Sequence, residues 1–271
     1  MGKRTLAHLA ILGLLALYML PIAWMLSTSL KPDDELFTEQ IRWIPNRIAW
    51  ENYQQALATF PFGLYLRNTV LIAGLTVVGA LLSCLPPAYA FARLRWRGRN
   101  FWFWVMLSTL MLPPQVTLLP VFLLFRQLGW VDTFLPLIVP AFLGNAFLIF
   151  MLRQFFLTLP QELIDAARLD GCSEWAILWR LVAPMSKPAV ATVALFSFVW
   201  AWTDFMNPLI YLNDSSKFTL AVGLQYFLGR HGEQWNLLMA AATVVTAPLV
   251  LLFLLTQRAY VRGITLTGLK G

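Results

Sequence analysis

Few residues in this chain are of types that make or break bonds, and their placement narrows the chemistry quickly. There are two histidines, His8 near the start and His231 far along the chain, so a histidine-based zinc site or catalytic triad is not expected. The two cysteines, Cys84 and Cys172, fall in different regions and read as small isolated thiols. A phosphate-binding P-loop needs Lys followed by Ser or Thr. The five lysines are followed by Arg4, Pro32, Pro188, Phe218 and Gly271, so any ATP chemistry must belong to another chain. One ionisable residue, Asp204, sits inside an otherwise uncharged apolar stretch, with Trp202, Thr203 and Asn207 beside it. An ionisable group at membrane depth is a functional candidate. Asp204, with Trp202 and Asn207, either lines a permeation pathway or its gate, or makes a structural polar contact between helices or at headgroup level.

The elements that must position these residues are set by where charge is missing. Of 271 residues, 59% are apolar and only 12% charged, against roughly 25% charged in an ordinary soluble domain. Residues 5–30, 68–92, 100–125, 133–152 and 234–257 carry no Asp, Glu, Lys or Arg, and 188–213 carry only Asp204. Each stretch is long enough to cross a hydrocarbon core of about 30 Å as a helix, at about 1.5 Å per residue. Backbone polar groups in lipid must be satisfied internally, which selects helices. The expected fold is an all-α integral membrane protein, a single domain over 1–271, with spans near 6–28, 68–92, 101–125, 134–152, 188–212 and 235–257.

Six spans put both termini on one side. That side collects thirteen of the twenty Lys and Arg residues, which makes it cytoplasmic by the positive-inside rule. The net charge of +7 is therefore a topology signal and not a nucleic-acid footprint. The apolar run from Leu6 to Leu26 exceeds the 7–15 residues of a signal-peptide core, so an uncleaved first helix is expected.

The connections are unequal. An arginine-rich turn, Arg93-Leu-Arg-Trp-Arg-Gly-Arg99, reads as a topogenic anchor at lipid headgroups or as a partner contact. The long inner loop 153–187 reads as a helical elbow. One short helix starts after Pro160 and ends at Gly171; a second is capped by Ser173, begins at Glu174 and stops before Pro184 and Pro188. Prolines recur within the spans, at 86, 87, 113, 114, 120, 136, 140, 208 and 248, and favour kinked helices around a cavity over a plain anchor.

The elbow carries a specific pattern: Asp165-Ala166-Ala167, three residues, Gly171, nine residues, then Leu181-Val-Ala183-Pro184. It resembles the EAA loop of binding-protein-dependent ABC transporter permeases (E-A-A, three residues, G, nine residues, I-x-L-P), with Asp165, Leu181 and Ala183 as departures. Met111-Leu-Pro-Pro-Gln-Val-Thr-Leu-Leu-Pro120, Gly129-Trp-Val-Asp-Thr133, Trp202-Thr-Asp-Phe205 with Pro208-Leu209, and the tail from Gln257 through Gly263 to Lys270-Gly271 resemble the maltose-type, MalG-like branch of that family.

The resemblance implies a transmembrane subunit of an ATP-driven bacterial importer of a sugar or sugar-like solute, in the cytoplasmic membrane. It implies a second homologous permease subunit, two ABC ATPase subunits, an extracytoplasmic solute-binding protein and membrane lipid as partners. No cofactor is implied for this chain, with ATP and Mg on the ATPase. ATPase coupling would fall to Glu162, Asp165, Ala166, Ala167, Asp170, Gly171 and Pro184, and the tail residues Arg262 and Lys270 would reach toward the nucleotide-binding interface. Six kinked spans alone would equally permit an ATP-independent secondary transporter or channel.

Overall fold

A computed structural model describes residues 2–37, 42–228 and 234–267, and among the described residues all regular structure is helical. In chain order the helices are α1 (Lys3–Ser29), α2 (Glu51–Ala58), α3 (Phe62–Arg93), α4 (Arg99–Ser108), α5 (Pro114–Gln127), α6 (Leu135–Ile138), α7 (Ala146–Phe156), α8 (Gln161–Leu169), α9 (Glu174–Ile177), α10 (Ala183–Met185), α11 (Lys187–Thr203), α12 (Met206–Tyr211), α13 (Leu220–Gly223) and α14 (Trp235–Thr267). Thr5–Ser29, Phe62–Arg93, Leu135–Phe156 and Trp235–Thr256 are each long and apolar enough to cross a membrane. The count reaches six if each of two bent pairs is one crossing: Arg99–Met111 with Pro114–Gln127, bent by 97°, and Glu174–Met185 with Lys187–Thr203, bent by 86°.

The stretches expected as spans are thus not all straight rods. Leu112 and Pro113 are extended, and Pro114 opens α5, because a residue before proline is driven out of the helical region. In 134–152 the backbone runs through a 3-10 segment, Val139–Leu143, and breaks at Gly144 before Asn145 caps α7 by accepting from the Leu148 amide at 3.1 Å. Side chains of α3 meet this irregular segment: Ser83 Oγ donates to the Ala141 carbonyl at 2.7 Å, as broken backbone inside an apolar layer requires.

One sequence expectation is corrected. The second elbow helix does not stop before Pro184: a π-turn over Leu178–Val182 links α9 to α10, which contains Pro184, and Pro188 sits in the first turn of α11. Pro188 occupies a first-turn position, where a missing N–H leaves no helix bond unmade, whereas Pro184 follows directly on the π-turn inside the continuous run Glu174–Met185.

The chain divides into two compact units, Met1–Leu64 with Val222–Leu251, and Tyr65–Ala221 with Leu252–Gly271. In the first unit the most apolar window of α1 is wholly unburied. The end of α1 is held by amide side chains: Asn52 Nδ2 donates to the Ser29 and Lys31 carbonyls at 3.0 and 2.8 Å, and Asn236 Nδ2 donates to Asp33 Oδ1 at 2.6 Å. Lys31 is only 3% exposed, its ammonium 4.1 Å from the Trp24 ring centre. Burial lowers its pKa while Glu35 opposes the shift.

The second unit carries the larger core. Ala80, Cys84, Ala88 and Ala92 form one stripe of α3 at four-residue spacing, packed with Leu148, Leu152 and Phe156 of α7 and Val193 of α11. Ile164 of α8, Ile177 of α9, and Leu178 and Val182 of the π-turn belong to the same core, which roots the elbow in the helix bundle.

Candidate functional site

The elbow is shaped first by its glycine. Gly171 has φ +77° and completes a Schellman cap on α8: its amide donates to the Arg168 carbonyl, and the Cys172 amide to the Ala167 carbonyl, both at 3.0 Å. A residue with a Cβ is strained in that left-handed conformation. Ser173 then caps α9, its hydroxyl accepting from the Ala176 amide at 3.2 Å.

Around that turn a polar network ties the elbow to α3. Arg168 Nε donates to Glu174 Oε1 at 2.7 Å and Nη1 to Asp165 Oδ1 at 3.0 Å. Gln161 Nε2 also donates to Asp165 Oδ1, at 3.0 Å. The buried Tyr89 hydroxyl donates to Glu174 Oε2 at 2.5 Å. The hydrogen bond to Glu174, together with its charge, raises the Arg168 pKa against a smaller opposing burial effect. Arg93, at the end of α3, donates from Nε to the Phe156 carbonyl at 3.0 Å, from Nη1 to Gln161 Oε1 at 2.7 Å, and from Nη2 to the Leu159 carbonyl. It thereby adds donors to carbonyls at and just beyond the end of α7.

The outward surface of the elbow differs in kind. Glu162, Ala166, Asp170 and Pro184 are exposed, Leu163 and Trp175 project, and Leu169 is 90% exposed. The two alanines divide: Ala166 faces out, while Ala167 packs against the core. Asp165 is exposed but already hydrogen-bonded within the chain. Sequence reasoning missed the roles of Tyr89, Arg93, Arg168 and Glu174. It also missed Leu163 and Leu169, which are exposed and six residues apart, a spacing that falls on no single helical face.

The second candidate cluster lies at a helix break. α11 ends at Thr203, Asp204 is extended, and α12 starts at Met206. Asp204 Oδ1 accepts from the Asn207 amide at 3.2 Å and Oδ2 from Asn207 Nδ2 at 2.8 Å. Thr203 instead donates to the Val199 carbonyl at 2.8 Å. Asp204 is half-buried and Asn207 exposed, whereas Trp202 is 3% exposed and stacks on Phe198 with ring centres 5.2 Å apart. Arg262 falls in α14 with its side chain outside the described residues, and Lys270 lies outside them altogether.

A further junction, unassigned from sequence, joins residues 129–133 to 211–217. Asp132, with φ +60°, accepts from the Asn213 and Asp214 amides at 3.0 Å and from Lys217 Nζ at 2.7 Å. The Lys217 hydrogen bond and then these amides hold its carboxyl well below the usual range, at about 2.

Helices long and apolar enough to cross a membrane, two of them bent pairs, and an elbow rooted in their core are the architecture of a multi-pass membrane protein. Residues 76–266 match the family model described as binding-protein-dependent transport system inner membrane component. The arabinooligosaccharides transport system permease protein AraQ of Halalkalibacterium halodurans is 34% identical over 256 residues, covering 93% of this chain and 91% of that protein. The sn-glycerol-3-phosphate transport system permease protein UgpE of Yersinia pestis bv. Antiqua is 32% identical over 259 residues, covering 93% and 91%. A chain from the crystal structure of a bacterial ABC transporter involved in the import of the acidic polysaccharide alginate superposes with a TM-score of 0.83 at 25% identity, covering 94% of this chain and 95% of that one. The chain belongs to the family of binding-protein-dependent transport system inner membrane components and is a permease subunit of an ABC importer. An ATP-independent secondary transporter or channel is not favoured.

Proposed function

We propose that this permease moves a sugar or sugar-like solute by alternating access and that its elbow is the part on which ATP hydrolysis acts. The observation that carries the reading is the division of the elbow into a rooted inner face (Ile164, Ile177, Leu178, Val182) and a projecting outer face (Glu162, Leu163, Ala166, Leu169, Asp170). Such an element transmits a push applied to its outer face into the bundle it is rooted in. ATP and Mg would bind two separate ATPase subunits seated against that face, which puts both termini of this chain in the cytoplasm. Gly171 would keep the two elbow helices in register, and Pro184 lies in the first turn of α10, which continues the elbow toward α11.

A second homologous permease would complete the pathway, and a solute-binding protein would dock on the loops around 31–67 and 213–234. The carbohydrate and glycerol-phosphate relatives support the substrate class. Asp204 and Asn207 would face the pathway at the break after α11, with Trp202 supporting the break from inside. Arg262 and Lys270 would extend toward the ATPase.

The test is Gly171→Trp in the assembled transporter. A Cβ at this position meets nothing within 4 Å, so the substitution acts through backbone strain and an altered outer face, not through the core. ATPase activity should persist and lose its dependence on solute while uptake collapses and membrane insertion stays normal. Wild-type uptake would overturn the coupling assignment.

A further inference from the structure

Between the arginine turn and the elbow lies an open basin of about 1000 Å3, lined by Arg93, Arg95, Arg99 and Arg168, with Trp96 on its rim and Asp165 and Glu174 as its acids. Four guanidiniums thus face two carboxylates, and both carboxylates are bonded to Arg168. Arg93 is committed to carbonyls and to Gln161, and Arg99 to the Leu94 carbonyl at 3.1 Å. Arg95 has no hydrogen-bond or ion-pair partner among the described residues. Arg95 and Arg99 therefore reach the basin with no carboxylate partner among the described residues, and guanidinium forks match phosphate oxygens in particular.

We propose that this basin binds a phosphate-bearing anion between the arginine turn and the elbow. Phe101, Trp102 and Trp104 are exposed just beyond Arg99, and aromatic side chains of this kind gather at headgroup level. The phosphodiester of an anionic membrane lipid is therefore the favoured source, and basic pockets beside membrane helices hold such headgroups. Free phosphate offers the same oxygens and is the other source. The site shares residues with the elbow, but its occupancy is measured on this chain alone, so it stands or falls separately from ATPase coupling.

The full chain, purified in neutral detergent and stripped of lipid, would be mixed with phosphatidylglycerol, phosphatidylcholine or inorganic phosphate, and bound mass read by native mass spectrometry. Saturable retention of phosphatidylglycerol, absent with phosphatidylcholine and resistant to excess phosphate, identifies a lipid; displacement by phosphate identifies the soluble anion. Arg95→Gln and Arg99→Gln should each weaken binding about tenfold, the loss of one charge-assisted guanidinium–phosphate hydrogen bond. Arg97→Gln removes the same charge from the same turn without touching the basin and should change nothing. Arg99→Lys keeps the charge should Arg99→Gln fold poorly. Retention of neither anion, or an Arg97→Gln effect equal to that of Arg95→Gln, would overturn the proposal.

Discussion

Arg168 and Glu174 lock the two elbow helices across the Gly171 turn, Nε to Oε1 at 2.7 Å, and the same guanidinium holds Asp165 at 3.0 Å. Both partners of each pair are partly exposed, so each contributes only about 0.2–1 kcal/mol. Arg168→Ala removes both pairs and should therefore lower global stability by about 0.4–2 kcal/mol while raising amide exchange through residues 161–174. Tyr89→Phe removes a less exposed bond to the same carboxylate and should cost about 1–2 kcal/mol. Equal exchange in wild type and Arg168→Ala would show that core contacts alone hold the turn.

Asp132 supplies a pH-dependent prediction. Its carboxyl, held at about 2 in the folded chain, has an ordinary value of 3.8. A depressed pKa means the contribution is fully present above about pH 4 and is lost as pH falls toward about 2. Protection of the Asn213 and Asp214 amides, measured relative to Asp132→Asn to remove intrinsic exchange, should fall across that interval. Asp132→Ala should loosen the junction further, because alanine tolerates φ +60° poorly.

At the break after α11, replacement of Asp204 separates geometry from charge. Asn keeps an acceptor for the Asn207 amide, so Asp204→Asn should fold within about 0.5 kcal/mol of wild type. Asp204→Ala removes the acceptor and should cost about 1 kcal/mol, as the loss of a helix cap does. If the carboxylate serves the pathway, solute uptake falls in Asp204→Asn although the fold is intact. Unchanged uptake would assign Asp204 to shaping the break alone.

Gly79 and Phe142 make a steric prediction. A Cβ on Gly79 would lie 2.6 Å from Phe142 Cδ2, inside any real contact distance. Gly79→Ala should destabilise by about 1–3 kcal/mol, and Phe142→Leu in the same chain should recover part of the loss. Additive losses in the double variant would place the strain elsewhere.

The sequence was most informative where a physical requirement acts on consecutive residues. The uncharged stretches near 6–28, 68–92 and 235–257 correspond to α1, α3 and α14, because lipid demands unbroken apolar runs with internal hydrogen bonds. The elbow's start after Pro160, its turn at Gly171 and its Ser173 cap were legible for the same reason, each being a local backbone rule. The 97° bend at Pro113 and the break at Gly144 were foreshadowed only as generic kinks, since their geometry depends on what packs beside them. Tyr89 with Glu174 and Arg93 with Phe156 join residues 85 and 63 positions apart, and no local pattern records such pairings.

α3 is fastened at both ends. Near its start, Asn68 Nδ2 donates to the Ser216 and Phe218 carbonyls at 2.9 and 3.0 Å, and near its finish Tyr89 and Arg93 grip the elbow. Between these anchors stand Pro86 and Pro87, which withdraw two successive amide donors from the helix ladder. A rod clamped at both ends and softened at one place flexes there before either clamp opens. The tandem prolines thus place the weakest stretch of the α3 hydrogen-bond ladder between its two anchors, where the buried Leu85 and Ala88 hold the helix continuous.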